Sequence, residues 1–143
     1  MRTRRALLAL VSAAGLVVAG IAATAAWAHA NNITAFAAVK TSSTTVVCRG
    51  RNTVSSPVKT LGVSVICQRQ DSNLNWVDIQ QAVAKTCSDC TAVERTYTAT
   101  CSRLGRGHWH IRTQADGWHI HYNGSRRDDP ARVNTTVRTL DCP

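Results

Sequence analysis

Residues 107–124 read GHWHIRTQADGWHIHYNG, and this stretch contributes most to the prediction of the fold. Apolar and polar residues alternate on either side of Asp116-Gly117, which is the pattern of two strands joined by a tight turn. With Asp116 and Gly117 as the turn residues, opposed positions share one face of the hairpin. The core-facing set is then Trp109, Ile111, Thr113, Trp118, Ile120 and Tyr122, and the outward polar set is His108, His110, Arg112, Gln114, His119, His121 and Asn123.

The rest of the chain predicts further short strands separated by polar turns. Residues 75–85 fit a helix or a strand, and the neighbouring strands favour a strand. Loops are predicted over 50–57 and 123–130, which are rich in Gly, Asn, Ser and Pro. With the hairpin this gives about eight short strands and no linker, hence a single all-β domain over 31–143, an antiparallel β-sandwich. The other segments with strand patterns are 33–40, 44–48, 60–68, 91–101 and 132–142.

Residues 1–30 have the features of a cleavable export signal peptide. Three arginines lie within the first five residues, no charge follows from Ala6 to Ala28, and small-x-small cleavage signatures end at Ala28 and Ala30. A membrane anchor is the alternative for an uncharged run of this length, but its alanine-rich composition favours removal. The opening residues also resemble the twin-arginine export motif, but the match is loose and we expect Sec export. Removal of 30 of the 143 residues leaves a secreted, extracellular chain of 113 residues with no transmembrane segment.

The chain is basic, with 17 Lys and Arg against 8 Asp and Glu. Loss of the three signal-peptide arginines lowers the net charge from +9 to about +6. Such a protein is attracted to anionic polymers. The positive residues are scattered, however, and Arg126-Arg127 is followed at once by Asp128-Asp129. This distribution is more typical of a solubility feature than of a nucleic-acid site. We therefore expect an anionic envelope polymer or another extracellular ligand as partner.

Six cysteines in a small exported chain predict three disulfides, each stabilising by about 2–4 kcal/mol. A redox role for Cys87 and Cys90 would need a helix N-terminus, and a zinc site would need a second closely spaced pair; neither is predicted. These two cysteines fit either a local bridge or bridges to other cysteines. Among the possible connectivities we predict Cys48–Cys67, Cys87–Cys90 and Cys101–Cys142.

The outward polar set supplies the candidate binding residues, His108, His110, Arg112, His119 and His121. Imidazoles are preferred ligands of zinc and copper, so a His-based metal site is one alternative. Arg112 would place a positive charge beside such an ion, and the sequence fixes no carboxylate or cysteine next to it. We therefore predict no metal and no cofactor.

An enzyme is the second alternative. Glu94 is the only glutamate, and with an arginine and His119 or His121 it would supply the base, phosphate-binding group and acid of a small secreted ribonuclease. No hydrolase motif surrounds these residues, so we assign no catalytic residues. A non-catalytic binding module is favoured, because aromatic rings beside Arg and His on a rigid sheet stack on sugars or bases. The predicted register buries Trp118; an exposed Trp118 beside Arg112 would strengthen the binding hypothesis.

The export signal, the six cysteines and the run from Cys101 to Cys142 resemble small, uncharacterised, cysteine-containing secreted proteins of actinobacteria. That run contains Trp109, Gly117-Trp118 and the closing sequence VRTLDC, and covers about a third of the chain. This resemblance implies no particular function.

The order Cys67, Trp76, Cys101 also resembles immunoglobulin-like domains. Ala99 stands where those domains have a tyrosine two residues before the second cysteine. The resemblance therefore implies an immunoglobulin-like architecture only.

Overall fold

A computed structural model describes residues 30–143, so the predicted export signal, apart from Ala30, lies outside the described residues. Within this range the chain forms nine strands and one short helix. They are β1 (Asn32–Ala35), β2 (Val39–Ser42), β3 (Thr45–Val58), β4 (Thr60–Gln70), β5 (Trp76–Asp78), β6 (Val83–Cys87), β7 (Cys90–Thr100), α1 (Cys101–Leu104), β8 (Gly107–Ile120) and β9 (Arg126–Cys142). No helix in the described range is long and apolar enough to cross a bilayer.

The strands form two antiparallel sheets. In the four-stranded sheet β3 is central, with β7 along one edge and β1 and β2 along the other. In the five-stranded sheet β4 and β8 are central, β9 lies beyond β8, and β5 and β6 pair with successive parts of the free edge of β4. The predicted all-β sandwich is confirmed.

The core lies between the sheets because β3, β4, β7 and β8 alternate apolar side chains toward the interior. Val46 and Ala99 from one sheet, and Val65, Ile111 and Leu140 from the other, are fully buried around the sulfurs of Cys48 and Cys67. A second apolar cluster contains Val54, Val58, Leu61, Val63 and Val93. The alternation predicted for 91–101 is confirmed, since Val93 and Ala99 are buried on one side of β7.

All three predicted disulfides are present, and each joins the two sheets. Cys48–Cys67 links β3 to β4 through the core, and Cys87–Cys90 links β6 to β7 where the chain crosses between sheets. Cys101–Cys142 joins α1, directly after β7, to the end of β9. Because Cys67 bonds to Cys48 and not to Cys101, the pairing expected of an immunoglobulin domain is absent.

The hairpin turn predicted at Asp116-Gly117 is wrong. β8 runs unbroken from Gly107 to Ile120, and the turn to β9 lies at 121–125, where Gly124 has a φ of 86°. Gly117 is glycine for a different reason: a Cβ there would lie 2.7 Å from Ile33 and 2.8 Å from Asn52 of the opposite sheet. The glycine permits close approach of the sheets and not a turn.

Because β8 continues through Asp116-Gly117, the residues from Trp118 to Ile120 lie on the faces opposite to those predicted. Ile111 and Thr113 are buried as predicted. Trp118 and Ile120, predicted to face the core, lie on the outer side, whereas His119, predicted to face outward, is fully buried. Tyr122, also predicted as core, is 62% exposed.

Other predicted boundaries also change. The predicted loop over 50–57 belongs to β3, because Gly50 and Asn52 pack inward against the other sheet. Part of the predicted loop over 123–130 belongs to β9, which begins at Arg126. The ambiguous segment 75–85 forms β5 and the start of β6, in agreement with the predicted strand.

Candidate functional site

The outer side of the five-stranded sheet carries two tryptophans, each with a stacked arginine. We name this surface the tryptophan–arginine face and define it by Trp76, Arg112, Trp118 and Arg126. The guanidinium of Arg112 lies 4.2 Å from the ring centroid of Trp76, and that of Arg126 lies 5.2 Å from that of Trp118. Both tryptophans are only partly buried. Cation–π attraction at exposed sites of this kind stabilises each contact by about 0.5–1 kcal/mol.

Trp118 lies against the backbone of its neighbour on β4. It pairs with Gly62, and a Cβ on Gly62 would fall 2.2 Å from the indole Cε2, so only glycine leaves room for the ring. On β9 the Arg126 guanidinium donates to both carboxylate oxygens of Asp128, with its Nη2 2.7 Å from Oδ1. These hydrogen bonds lower the pKa of the Asp128 carboxyl. The ring and the guanidinium are therefore both positioned by the sheet.

A hydrogen-bonded network positions the second pair. Arg112 Nε donates to Gln68 Oε1 at 2.9 Å, and Gln68 Nε2 donates to Asp78 Oδ1 at 2.9 Å and to Gln114 Oε1 at 3.0 Å. Gln68 is only 8% exposed although it lies on the outer side. Partial burial lowers the pKa of Arg112, which nevertheless stays charged at neutral pH. The network joins β5, β4 and β8 across the face.

Arg112 and Trp118 are six residues apart on β8, which places them about 20 Å from each other along the strand. Between them the outer side carries the partly exposed Gln114 and Asp116, which supply amide and carboxylate groups, and the buried Ser64. The face is therefore a long surface with an aromatic–cationic pair toward each end and hydrogen-bonding groups in the middle.

A cleft of about 470 Å³ lies beyond the Trp76 end of the face. The guanidinium of Arg69 stacks 4.6 Å from the ring centroid of Trp109, whose Nε1 donates to the carbonyl of Gly105. His108 contacts Asp141 through Nδ1, and its ring meets that of His110 edge to face. The cleft is lined by Arg69, Gln70, Asp71, Ser72, Leu74, His108, Trp109 and His110.

His119 and His121 belong to a different part of the molecule. His119 Nδ1 lies 3.0 Å from Asn31 Oδ1, and because a carbonyl oxygen only accepts, Nδ1 carries the proton. The Nε2 atoms of His119 and His121 lie 3.0 Å apart. Asn31 Oδ1 also accepts from Asn52 Nδ2 at 2.9 Å. This group, which we name the Asn31 cluster, lies at the turn end of the sandwich.

The five predicted site residues thus divide into two groups. His110 and Arg112 lie on the outer side of β8 and His108 at its end, beside the cleft, whereas His119 and His121 join the Asn31 cluster. Sequence reasoning missed Trp76, Arg126 and Gln68. The period-two pattern of β4 places Gln68 outward, but no pattern indicates that Trp76 and Arg112 stack across two strands.

The acid–base set of the ribonuclease alternative is not brought together. Glu94 lies on β7 in the four-stranded sheet, where its Oε1 is 3.7 Å from Arg49 Nη1. His119 is buried on the inner side of the other sheet. Within residues 30–143 no group of three or more His, Cys, Asp or Glu side chains is arranged to hold a metal ion.

Fold and surface together define the class of protein: a small β-sandwich whose two sheets are joined by three disulfides, with an aromatic–cationic surface on one sheet. No protein-family model, curated protein or solved structure matches this chain.

Proposed function

We propose that this protein is a secreted, non-catalytic binding module that attaches to a sugar polymer of the cell envelope through the tryptophan–arginine face. The observation that carries the proposal is the outward position of Trp118 and Trp76, each beside a positioned guanidinium. The sequence pointed to Arg112 as the arginine that would accompany an exposed Trp118. In the structure the arginine beside Trp118 is Arg126. Large partly exposed aromatics beside polar groups are typical of binding surfaces.

The chemistry of the face favours uncharged sugars over the anionic polymer expected from net charge. Arg126 is paired with Asp128, and Arg112 is connected through Gln68 to Asp78. With Asp116 also outward, three carboxylates lie on this side against two guanidiniums, so the face is not a cationic patch. Amide and carboxylate groups offer the donors and acceptors that sugar hydroxyls require.

The expected location outside the cytoplasm also supports a role in binding an envelope polymer. Three disulfides are typical of proteins in oxidising compartments outside the cytoplasm. A rigid, disulfide-linked sandwich keeps the side chains of the face ordered before binding, which lowers the entropy cost of association.

Retention on insoluble polysaccharide tests the proposal. We expect the protein to be retained on purified bacterial cell-wall glycan or on chitin more strongly than on alginate, a polymer of anionic sugars. Trp118→Ala and Arg126→Ala should each weaken retention at least about tenfold, since loss of an aromatic or arginine anchor commonly costs more than about 1.4 kcal/mol.

Matched controls lie on the other sheet. Phe36→Ala and Arg51→Ala remove an aromatic ring and a positive charge from the four-stranded sheet and should leave retention unchanged. Equal losses in Arg126→Ala and Arg51→Ala, or stronger retention on alginate, would show that net charge and not this face governs binding. Failure to bind any of the three polymers would exclude a glycan ligand of these types.

A further inference from the structure

We infer that export processing cuts the peptide bond between Ala30 and Asn31, and that the new amino terminus of Asn31 forms an ion pair with Asp129 that fastens the chain start to the five-stranded sheet. The inference rests on the export proposed above and extends beyond the binding function.

Asn31 is unusually well bound for a residue at the start of a folded domain. Its backbone nitrogen donates to Asp129 Oδ2 at 3.0 Å, and its side-chain Nδ2 donates to the same oxygen at 2.7 Å. Its Oδ1 accepts from Asn52 and His119. First residues of domains are poorly ordered unless they are tied down in this way.

These contacts cross between the sheets. Asn31 directly precedes β1 of the four-stranded sheet, whereas Asp129 and His119 belong to β9 and β8 of the other sheet. Asn52, also in contact, is fully buried and donates to the carbonyl of Gly62 as well. Asn31 thus connects both layers of the sandwich at the turn end.

Asp129 is prepared for a further positive charge. Burial opposes its ionisation, but hydrogen bonds from Asn31 and Arg127 outweigh burial and hold the pKa of this carboxyl below its usual value. Arg127 contacts it only loosely, with Nε and Nη2 3.3–3.4 Å from the carboxylate oxygens. An ionised carboxylate accepts several hydrogen bonds, and an ammonium donor at 3.0 Å is stronger than the neutral amide it replaces.

Cleavage supplies that ammonium. Hydrolysis of the Ala30–Asn31 bond by an export-associated peptidase consumes one water, whose hydroxyl goes to the Ala30 carbonyl carbon and whose hydrogen goes to the Asn31 nitrogen. The nitrogen takes up one more proton at neutral pH. Of the two cleavage signatures, only the one ending at Ala30 leaves the charge on the atom that contacts Asp129; cleavage after Ala28 leaves a neutral amide there.

The first test is the amino terminus of the exported protein. The full chain is produced in an exporting bacterium, and the mature protein is analysed by intact mass and amino-terminal sequencing. We expect Asn31 as the first residue. A protein beginning at His29, or an uncleaved chain recovered in the membrane or outside the cell, would overturn this inference alone. An uncleaved chain confined to the cytoplasmic fraction would also remove the export on which the proposed function depends.

The second test measures the ion pair. Protein beginning at Asn31 should melt about 3–6 °C above the same protein with an acetylated amino terminus, since acetylation removes the charge. The difference should vanish in Asp129→Asn. Equal melting temperatures, or a difference that survives Asp129→Asn, would contradict the pair.

A measurement without substitution covers the case in which Asp129→Asn does not fold. The pKa of the Asn31 amino group, followed by its acylation rate against pH, should lie above the usual range of about 7.7–8.0, because a nearby carboxylate favours the charged form. An ordinary pKa would show that the ammonium is solvated and unpaired.

Discussion

Single glycines on two strands decide how closely the layers of this molecule approach. Gly117 on β8 and Gly50 on β3 both lie where a Cβ would fall under 3 Å from the opposite sheet. Gly62 instead leaves room for the Trp118 ring on the outer side. From sequence, a glycine in a strand predicts either a turn or a close approach, and the two cannot be separated without the partner strand.

Gly117→Ala should destabilise the fold by about 1–3 kcal/mol, because the added methyl group overlaps Ile33 and Asn52 and forces the sheets apart. The midpoint of urea unfolding measures the loss. Asp116→Ala, on the neighbouring outward position, should change stability by no more than about 0.5 kcal/mol. An unchanged midpoint for Gly117→Ala would mean that the sheets separate at this point without cost.

Whole strands were predicted well where both faces follow a simple period, and poorly where they do not. β4 and β7 were located from alternating apolar residues, and the burial of Val93 and Ala99 follows that pattern. In β8 the Asp116-Gly117 dipeptide has the chemistry of a tight turn, but tertiary contact overrides it. One misplaced turn then reversed the faces of Trp118 and His119, and with them the composition of the candidate site.

The real turn between β8 and β9 depends on Gly124. Its φ of 86° is left-handed, and no atom lies within 4 Å of the position a Cβ would take, so the cost of Gly124→Ala is one of backbone strain alone. We expect Gly124→Ala to lower the free energy of unfolding by about 1 kcal/mol, measured by thermal or urea unfolding. Gly124→Asn should lose less, because asparagine tolerates this conformation. Equal losses for Ala and Asn would point to a cause other than φ.

At the scale of the whole domain, the strand patterns predict the all-β sandwich, and the six cysteines predict three disulfides within it. The even number of cysteines predicts three bridges but leaves fifteen connectivities open, and the pairing observed is the one chosen among them. The strand patterns likewise left the sheet order open. The tryptophan–arginine face could not be predicted from these sequence patterns. Trp76 and Arg112 come from β5 and β8, with β4 between them, and only the sheet order places them together.

The three disulfides should contribute unequally, in the order of the loops they close. Their sequence separations are 41 for Cys101–Cys142, 19 for Cys48–Cys67 and 3 for Cys87–Cys90. Because each bridge restricts the unfolded chain, we expect the three bridges to raise the free energy of unfolding by about 4, 3 and 2 kcal/mol respectively. Cys48 and Cys67 are fully buried, so replacing this pair by alanine also leaves unfilled space in the core and brings its cost close to that of the longest loop.

Urea unfolding of the three double Cys→Ala variants, each with the other two bridges intact, measures this order. The Cys87/Cys90 variant should remain folded and lose least, whereas the other two should approach the limit of stability of a small domain. A loss for Cys87/Cys90 as large as for Cys101/Cys142 would mean that loop entropy is not the controlling quantity. The local bridge would then act mainly on the native crossing from β6 to β7, where it holds the edges of the two sheets together.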